Sequence, residues 1–224
     1  MSSKVSIVNL ALAKIGDSAS VSSIDPPEGT PQATYGAMFY PIANRKMQED
    51  FQWTFCTKRI KGVQLVNDDF TEWLYAYNVP AEAIDIISVL PANAQDDYSV
   101  ADTFSVNGRT TIVNAFSQYE PQKFSLETLN DGTLAILTNV ADADIRYTKY
   151  VDDPAFYPAG YIDALSYLLA HYLAGPIIKG DVGIKVSQSM LQMYQMAVGS
   201  ARSADANNTR RVIRQSVPWM AGRA

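Results

Sequence analysis

The pattern of apolar and polar positions changes period twice along the chain. Val5, Val8, Leu12 and Ile15 recur at helical spacing, with Ser2 or Ser3 to cap the first turn and Gly16 to stop the helix. Asp17 to Gly29 is rich in Ser, Pro and Asp and reads as a loop. Thr30 and Pro31 supply the cap and first residue of a second helix, in which Met38, Ile42, Met47 and Phe51 recur on roughly one face. Pro41 lies inside that run and is expected to kink or divide it. The helix runs out near Phe51, Trp53 and Phe55, an aromatic cluster whose bulk suits the corner where a helix hands over to a sheet.

From Thr57 the period shortens to that of strands. Val63 and Leu65, then Trp73 to Tyr77, form strand segments; Trp73, Tyr75 and Tyr77 alternate and are expected to share one face, the buried one. Asn78-Val79-Pro80 turns the chain. Ile84 to Leu90 is a continuous apolar run between Pro80 and Pro91, short enough for a buried strand. Phe104 and Val106, then Asn107-Gly108 and a return over Thr111 to Val113, carry the clearest hairpin signal. Asn130-Asp131-Gly132 marks a further turn before Leu134 to Leu137. Asp144 to Val151 closes the region, with Ile145, Tyr147 and Tyr150.

The helical period returns after Asp152-Asp153-Pro154. A third helix is predicted from about Pro158 to Gly175, with Leu165, Leu168, Leu169, Tyr172 and Leu173 on a wide apolar face, broken by Gly175-Pro176 and Gly180. A fourth is predicted from Asp181, where Ile184, Met190, Leu191, Tyr194 and Val198 keep helical spacing. Ser187, Ala197 and Ala201 on it are small enough to admit another helix closely. The fold class that follows is α+β. The N- and C-terminal helices, residues 1–56 and 151–208, form an antiparallel helical bundle; residues 57–150 are an inserted, mainly antiparallel β domain; residues 209–224 are an extended C-terminal arm.

Composition narrows the class of protein. With 224 residues, 47% apolar and 18% charged, the chain has material for a sizeable core. A net charge of −5 leaves no global basic footprint for nucleic acid. Cys56 is the single cysteine, which excludes an intramolecular disulfide and a cysteine-rich metal site. Asn9 and Lys14 interrupt the first apolar run, so it lacks a signal-peptide profile. The longest apolar stretch, Ala164 to Ala174, carries His171 and is too short to span a bilayer. A soluble chain without membrane segments is expected.

Candidate chemistry is sparse. His171 is the single histidine and lies on an apolar helix face, so a partly buried structural role is expected rather than metal binding. Acidic pairs occur at Asp68-Asp69, Asp96-Asp97 and Asp152-Asp153. Adjacent acids point to opposite faces of a strand or are solvated in a turn, and Asp152-Asp153-Pro154 reads as the approach to a helix. Asp142 and Asp144 lack the Gly and distal Glu of a calcium loop. No catalytic residue, cofactor or metal is expected, and the chain reads as not an enzyme.

The unusual feature in charge terms is the tail. Arg202, Arg210, Arg211, Arg214 and Arg223 cluster there, with Asp205 as the one counter-charge, beside Val217-Pro218-Trp219-Met220. Three readings stand open: a solvated terminus, an arm that docks on an acidic partner with Trp219 and Met220 as apolar anchors, and a phosphate-binding segment.

The opening Ile7-Val8-Asn9-Leu10-Ala11-Leu12-Ala13-Lys14-Ile15-Gly16 resembles the start of head-to-tail adaptor proteins of short-tailed bacteriophages, the tail tubular protein A group. So does Phe39-Tyr40-Pro41-Ile42-Ala43-Asn44-Arg45 leading into Phe51-Gln52-Trp53-Thr54-Phe55. Trp73-Leu74-Tyr75-Ala76-Tyr77-Asn78-Val79-Pro80 is similar to the family's tryptophan-tyrosine-proline strand. Ile145-Arg146-Tyr147, then Asp152-Asp153-Pro154 and a long helix pair, complete the order. The resemblance implies a helical bundle with an inserted β domain. It also implies a dodecameric ring between the portal protein and the tail nozzle protein, with double-stranded DNA passing through the centre without specific binding. The expected location is the connector of the virion, for a protein made in the host cytoplasm. An acidic chain suits a channel wall that lets DNA slide. In that setting Arg210, Arg211, Arg214, Val217, Trp219, Met220 and Arg223 are the candidate portal-docking residues. Two alternatives remain: a tail-associated glycan hydrolase using a carboxylate pair, and a DNA-binding module using the basic tail.

Overall fold

Ser3 starts the first helix in the manner its sequence predicts. Its hydroxyl accepts the Ser6 N–H while the Ser6 hydroxyl accepts the Ser3 N–H, a reciprocal capping box that opens α1, Lys4–Lys14. Thr30 caps α2, Pro31–Glu49, through the Ala33 N–H, with Pro31 at the first helical position where its missing N–H costs nothing. Between them Asn9 clamps the loop: its side-chain amide donates to the Val21 carbonyl and accepts the Val21 N–H, both at 2.8 Å.

The fold is α+β, and the computed structural model describes residues 2–67, 72–92, 103–106, 109–112 and 122–208. The Asn107-Gly108 turn, Asp68-Asp69, Asp96-Asp97 and the tail from Thr209 lie outside the described residues. The chain divides into two compact units. One is Met1–Cys56 with Tyr150–Thr209, and the other is built on Thr57–Lys149.

In the helical unit, α3 (Ala159–Ile178) packs against α1, α2 and α4 (Gly180–Ala206). Leu165, Leu168, Leu169 and Leu173 of α3 are fully buried, and truncating any one of them to Ala costs about 2–5 kcal/mol. α3 and α4 run antiparallel along their length: Gly160 faces Ala201 at one end, His171 meets Ser187 midway, and Gly183 lies against the Ala174 carbonyl at the other. The reversal is made at Lys179 and Gly180, both at positive φ.

Three helical expectations are corrected. Pro41 does not divide α2: the helix runs through it from Pro31 to Glu49, with the proline on the exposed side, where its ring displaces no core packing. Met38 and Ile42 are not on the buried face; they are 53% and 54% exposed. The inward residues are Ala33, Gly36, Tyr40, Ala43, Asn44, Met47 and Gln48. The approach to α1 is closest at Gly36, where a Cβ would sit 2.9 Å from a Val8 methyl, so that position takes no side chain while Tyr40 and Met47 fill the face further along. Finally, α3 does not break at Gly175-Pro176 but continues to Ile178, held by buried Leu173 and Ala174 and by α4 beneath them. On α4 the inward face is Tyr194, Val198 and Ala201, with Ile184 turned out.

Among the described residues the β unit contains three antiparallel sheets. β1 (Thr57–Lys61), β9 (Asp144–Lys149) and β4 (Ala83–Leu90) form one, in the order β1-β9-β4. β2 (Gln64–Leu65), β3 (Tyr75–Asn78), β8 (Leu134–Thr138) and β7 (Phe124–Thr128) form the second, in the order β2-β3-β8-β7. β5 (Thr103–Val106) and β6 (Arg109–Ile112) pair as a hairpin with Val106 opposite Arg109. Tyr77 and Ile136 from the second sheet and Ile86, Val89, Ile145 and Tyr147 from the first share one core cluster. Trp73 does not share the Tyr75–Tyr77 face. It precedes β3 and packs with Leu65, Ala76 and Leu137 on the opposite side of the sheet. β7 carries no strong alternation and was not anticipated from the pattern; it is recruited by in-register pairing with β8, Phe124 opposite Thr138 to Thr128 opposite Leu134.

Candidate functional site

The two ends of the chain are joined in the helical unit by a buried polar network. Gln48 on α2 holds Val151 from both sides, donating to its carbonyl at 2.6 Å and accepting its N–H at 2.9 Å. Tyr157 donates to the same carbonyl, and Tyr161 donates to the Asn44 side chain at 2.9 Å. Burial pushes the Tyr157 and Tyr161 hydroxyls well above their ordinary range, so both stay protonated donors. Each member has a partner, which is how a buried polar cluster specifies one seating of the returning chain rather than weakening it.

Asp152 and Asp153 diverge. Asp152 pairs with Lys4, while Asp153 caps the 3-10 turn Pro154–Phe156 through the Ala155 N–H. The helix-approach reading of this pair stands. Lys14 reaches Asp163 and the Ser166 hydroxyl, both at 2.6 Å, with its ammonium over the Tyr167 ring. Burial lowers its pKa, and the Asp163 carboxylate opposes that shift.

His171 is held, as a structural residue would be, between α3 and α4. Its Nδ1 lies 2.8 Å from the Ser187 hydroxyl and 3.0 Å from the Ser187 carbonyl, and the hydroxyl donates to the His171 carbonyl. One proton arrangement satisfies all three: Nδ1 donates toward Ser187, and Ser187 donates back to the backbone. The serine proton is thereby committed to a carbonyl rather than to the imidazole. Among the described residues no cluster of three or more His, Cys, Asp or Glu is placed to hold a metal ion, and no helix is long and apolar enough to cross a membrane.

The base of the tail is built differently from its sequence appearance. Asp205 is not a loose counter-charge for the arginines. It is 4% exposed and accepts the Thr54 N–H at 2.9 Å and the Thr54 hydroxyl at 2.6 Å, capping the 3-10 turn Thr54–Cys56. Arg202 is not part of a free arm either. It lies within α4, donates to the Asp50 carbonyl at 3.3 Å, and covers the Phe51 ring. The aromatic cluster is core: Trp53 is buried, meets Phe51 and Tyr161 edge-on, and donates from Nε1 to the Met47 carbonyl at 2.7 Å. Cys56 lies buried in the same region, and its thiol is pushed up to about 12 by burial first and by Asp205 second. The end of α4 is therefore fastened, within the helical unit, to Asp50, Phe51 and the Thr54–Cys56 turn. Arg210, Arg211, Arg214, Val217, Trp219, Met220 and Arg223 lie outside the described residues.

The outer faces of the helices carry a signal that periodicity reasoning passed over. Between Lys185 and Arg202, α4 has no charged residue, and it turns Gln188, Ser189, Gln192, Met193, Met196 and Ser200 to solvent. α2 presents Thr34, Met38, Pro41 and Ile42 before its first outward charge, Arg45. Absence of charge over four turns of an outward helix face was readable in the sequence, but only once inward and outward are known. Compared with the protein-family models and with the curated proteins, the chain matches none.

Proposed function

We propose that the chain is a structural assembly protein that works as a head-to-tail adaptor, a ring-forming connector between portal and tail nozzle through which DNA passes. The observation that carries this reading is the discontinuous architecture. A helical unit made from both ends of the chain accepts an antiparallel β unit between Cys56 and Tyr150, which is the organisation implied by the resemblance to tail tubular protein A-like adaptors. The tight seating of the α4 end supports it further. Asp205 and Arg202 hold the last helical turns against Thr54, Asp50 and Phe51, so the residues that follow leave from a fixed point. An arm that must find a partner surface gains from a rigid base, because less freedom is lost on docking. In this reading Arg210, Arg211, Arg214 and Arg223 meet an acidic portal surface, and Val217, Trp219 and Met220 supply apolar anchors.

The test is to mix purified protein with its cognate portal and image the mixture by negative stain. A ring added to the portal is expected, and its loss on deletion of residues 209–224 from an otherwise folded protein. A portal that remains bare with the full chain overturns the adaptor reading; joining that survives the deletion removes the tail's role in it.

A further inference from the structure

The turn that joins β7 to β8 carries the one Asp-Gly pair in the chain, Asp131-Gly132. That dipeptide has a reaction of its own. The Gly132 nitrogen can attack the Asp131 side-chain carbonyl carbon, because glycine puts no side chain in the way. A new N–Cγ bond closes a succinimide ring, and the carboxyl hydroxyl leaves as water with the amide proton. A second water then opens the ring at either carbonyl. One opening restores aspartate. The other routes the main chain through the side-chain carbon and leaves isoaspartate. Water is the only co-reactant, and no oxidant or cofactor takes part.

Hydrogen bonds within the turn oppose this reaction. The Gly132 N–H donates to the Leu129 carbonyl at 2.9 Å, and the Leu129 N–H donates to the Thr133 carbonyl at 2.8 Å. The Thr133 N–H donates to Asp131 Oδ1 at 2.8 Å, a local side-chain-to-backbone bond of the kind Asp makes in turns. The first of these holds the proton that the attacking nitrogen must lose, and an amide lone pair stays tied up in resonance until that proton leaves. The last keeps the carboxyl from rotating freely. Asp131 is exposed, and a Cβ on Gly132 would meet nothing within 4 Å, so neither water nor space is short. Bonding, not burial, is what restrains the site.

We propose that Asp131-Gly132 is a covalent modification site of the β unit, silent while the β7–β8 turn is closed and converted to isoaspartate when the turn opens. Local openings of a turn need far less free energy than global unfolding, so the site accumulates their history. The anchor of the closed state is Leu129, 7% exposed and packed in the cluster of Ala76, Ala135 and Leu137. Conversion has a structural consequence. Isoaspartate adds one carbon to the main chain ahead of Gly132, so the Gly132 N–H and the Thr133 carbonyl no longer both meet Leu129. The turn fixes the register of the hairpin, here Thr128 opposite Leu134, and a lengthened turn releases it. The proposal is independent of the adaptor reading and needs no partner.

The full chain is incubated in warm buffer made with heavy-oxygen water, folded and in urea, and the Asp131 peptide is mapped by mass spectrometry. Each passage through the ring leaves a heavy oxygen at Asp131, and chromatography separates the isoaspartyl peptide. A free peptide of residues 127–135, with and without urea, gives the rate of the unrestrained dipeptide and corrects for urea itself. Conversion in the folded chain is expected to be about tenfold slower or more than in the peptide, the factor that hydrogen bonds of ordinary strength allow, and to reach the peptide rate in urea. Asp131→Asn is the second reporter. It keeps an oxygen for the Thr133 N–H, passes through the same ring with loss of ammonia, and gives a product of different mass; peptide mapping separates it from Asn107-Gly108. The same ratio between folded chain and peptide is expected for it. A folded chain that converts as fast as the peptide overturns the proposal. So does a chain that stays unconverted in urea, which removes the site altogether.

Discussion

Asp205 accepts two hydrogen bonds from Thr54, a residue 151 positions earlier, and through them the last turn of α4 closes onto the Thr54–Cys56 turn of the helical unit. The carboxylate is buried, so removing it takes the acceptor away from two donors at a largely desolvated site. Asp205→Ala is expected to lower stability by about 2–3 kcal/mol, the cost of removing a charged acceptor and leaving its donors unpaired. Asp205→Asn, which keeps one carbonyl oxygen, is expected to cost less. Urea unfolding reads both as a fall in midpoint with unchanged slope; equal stability of Asp205→Ala and the native chain would contradict the capping role.

Gly62 follows β1 at a point where the backbone has no room for a side chain. A Cβ there would lie 2.6 Å from a Tyr77 ring carbon and 3.0 Å from the Ala143 carbonyl. Gly62→Ala is expected to destabilise by about 1–3 kcal/mol, the usual penalty for overpacking. Gly199→Ala on α4 meets nothing within 4 Å, and it is expected to stabilise by about 0.5–1 kcal/mol from helix propensity alone. Thermal unfolding of the pair should show shifts of opposite sign.

Glu82 gathers the Lys58 ammonium, the Tyr147 hydroxyl and the Lys149 ammonium, and Lys58 first, then Tyr147 and Lys149, hold its carboxyl down to about 2 against an ordinary 4.5. The depressed value means the unfolded chain binds the proton more readily between these limits. Its stabilisation is present above about pH 4.5 and is lost as pH falls through about 2. Glu82→Gln should therefore show a shallower loss of stability than the native chain on going from pH 5 to pH 2. Parallel denaturant curves across that range check it; identical pH slopes for the two proteins would refute it.

Cys56 should be unreactive in the folded chain. Burial raises its thiol to about 12, and only the thiolate attacks an alkylating reagent. Iodoacetamide at pH 8 is expected to label it only after urea is added, with mass spectrometry as the readout. Rapid labelling of the native protein would show that the Thr54–Cys56 turn opens.

The α+β class, both N-terminal caps and the strands at Ile84–Leu90, Leu134–Leu137 and Asp144–Lys149 were legible in the sequence. These rest on local physics: Ser3 and Thr30 have nearby N–H groups to satisfy, and an apolar run between prolines has few other uses. What was not legible depends on distance. The inward face of α2 is the one whose Gly36 lets Val8 approach closely, with Tyr40 and Met47 beside it, and Met38 and Ile42 fall on the other side. Pro176 breaks an isolated helix, yet here it falls in the last turn of one clamped along its length by α4. Asp205 looked like a partner for neighbouring arginines because its true partner, Thr54, lies at the other end of the chain. The outer faces of α2 and α4 went unread for a related reason: absence of charge is informative only on a surface.

The pairing of Thr57 with Thr148 across β1 and β9 makes the β unit a cassette. The chain enters through one strand and leaves through its neighbour, so the two junctions are about 5 Å apart. A linker of about two residues spans that gap. Joining Cys56 to Tyr150 in this way preserves the order in which α1, α2, α3 and α4 meet. The inserted segment can therefore lengthen, shrink or be exchanged for another hairpin-ended module while the helical scaffold keeps its path.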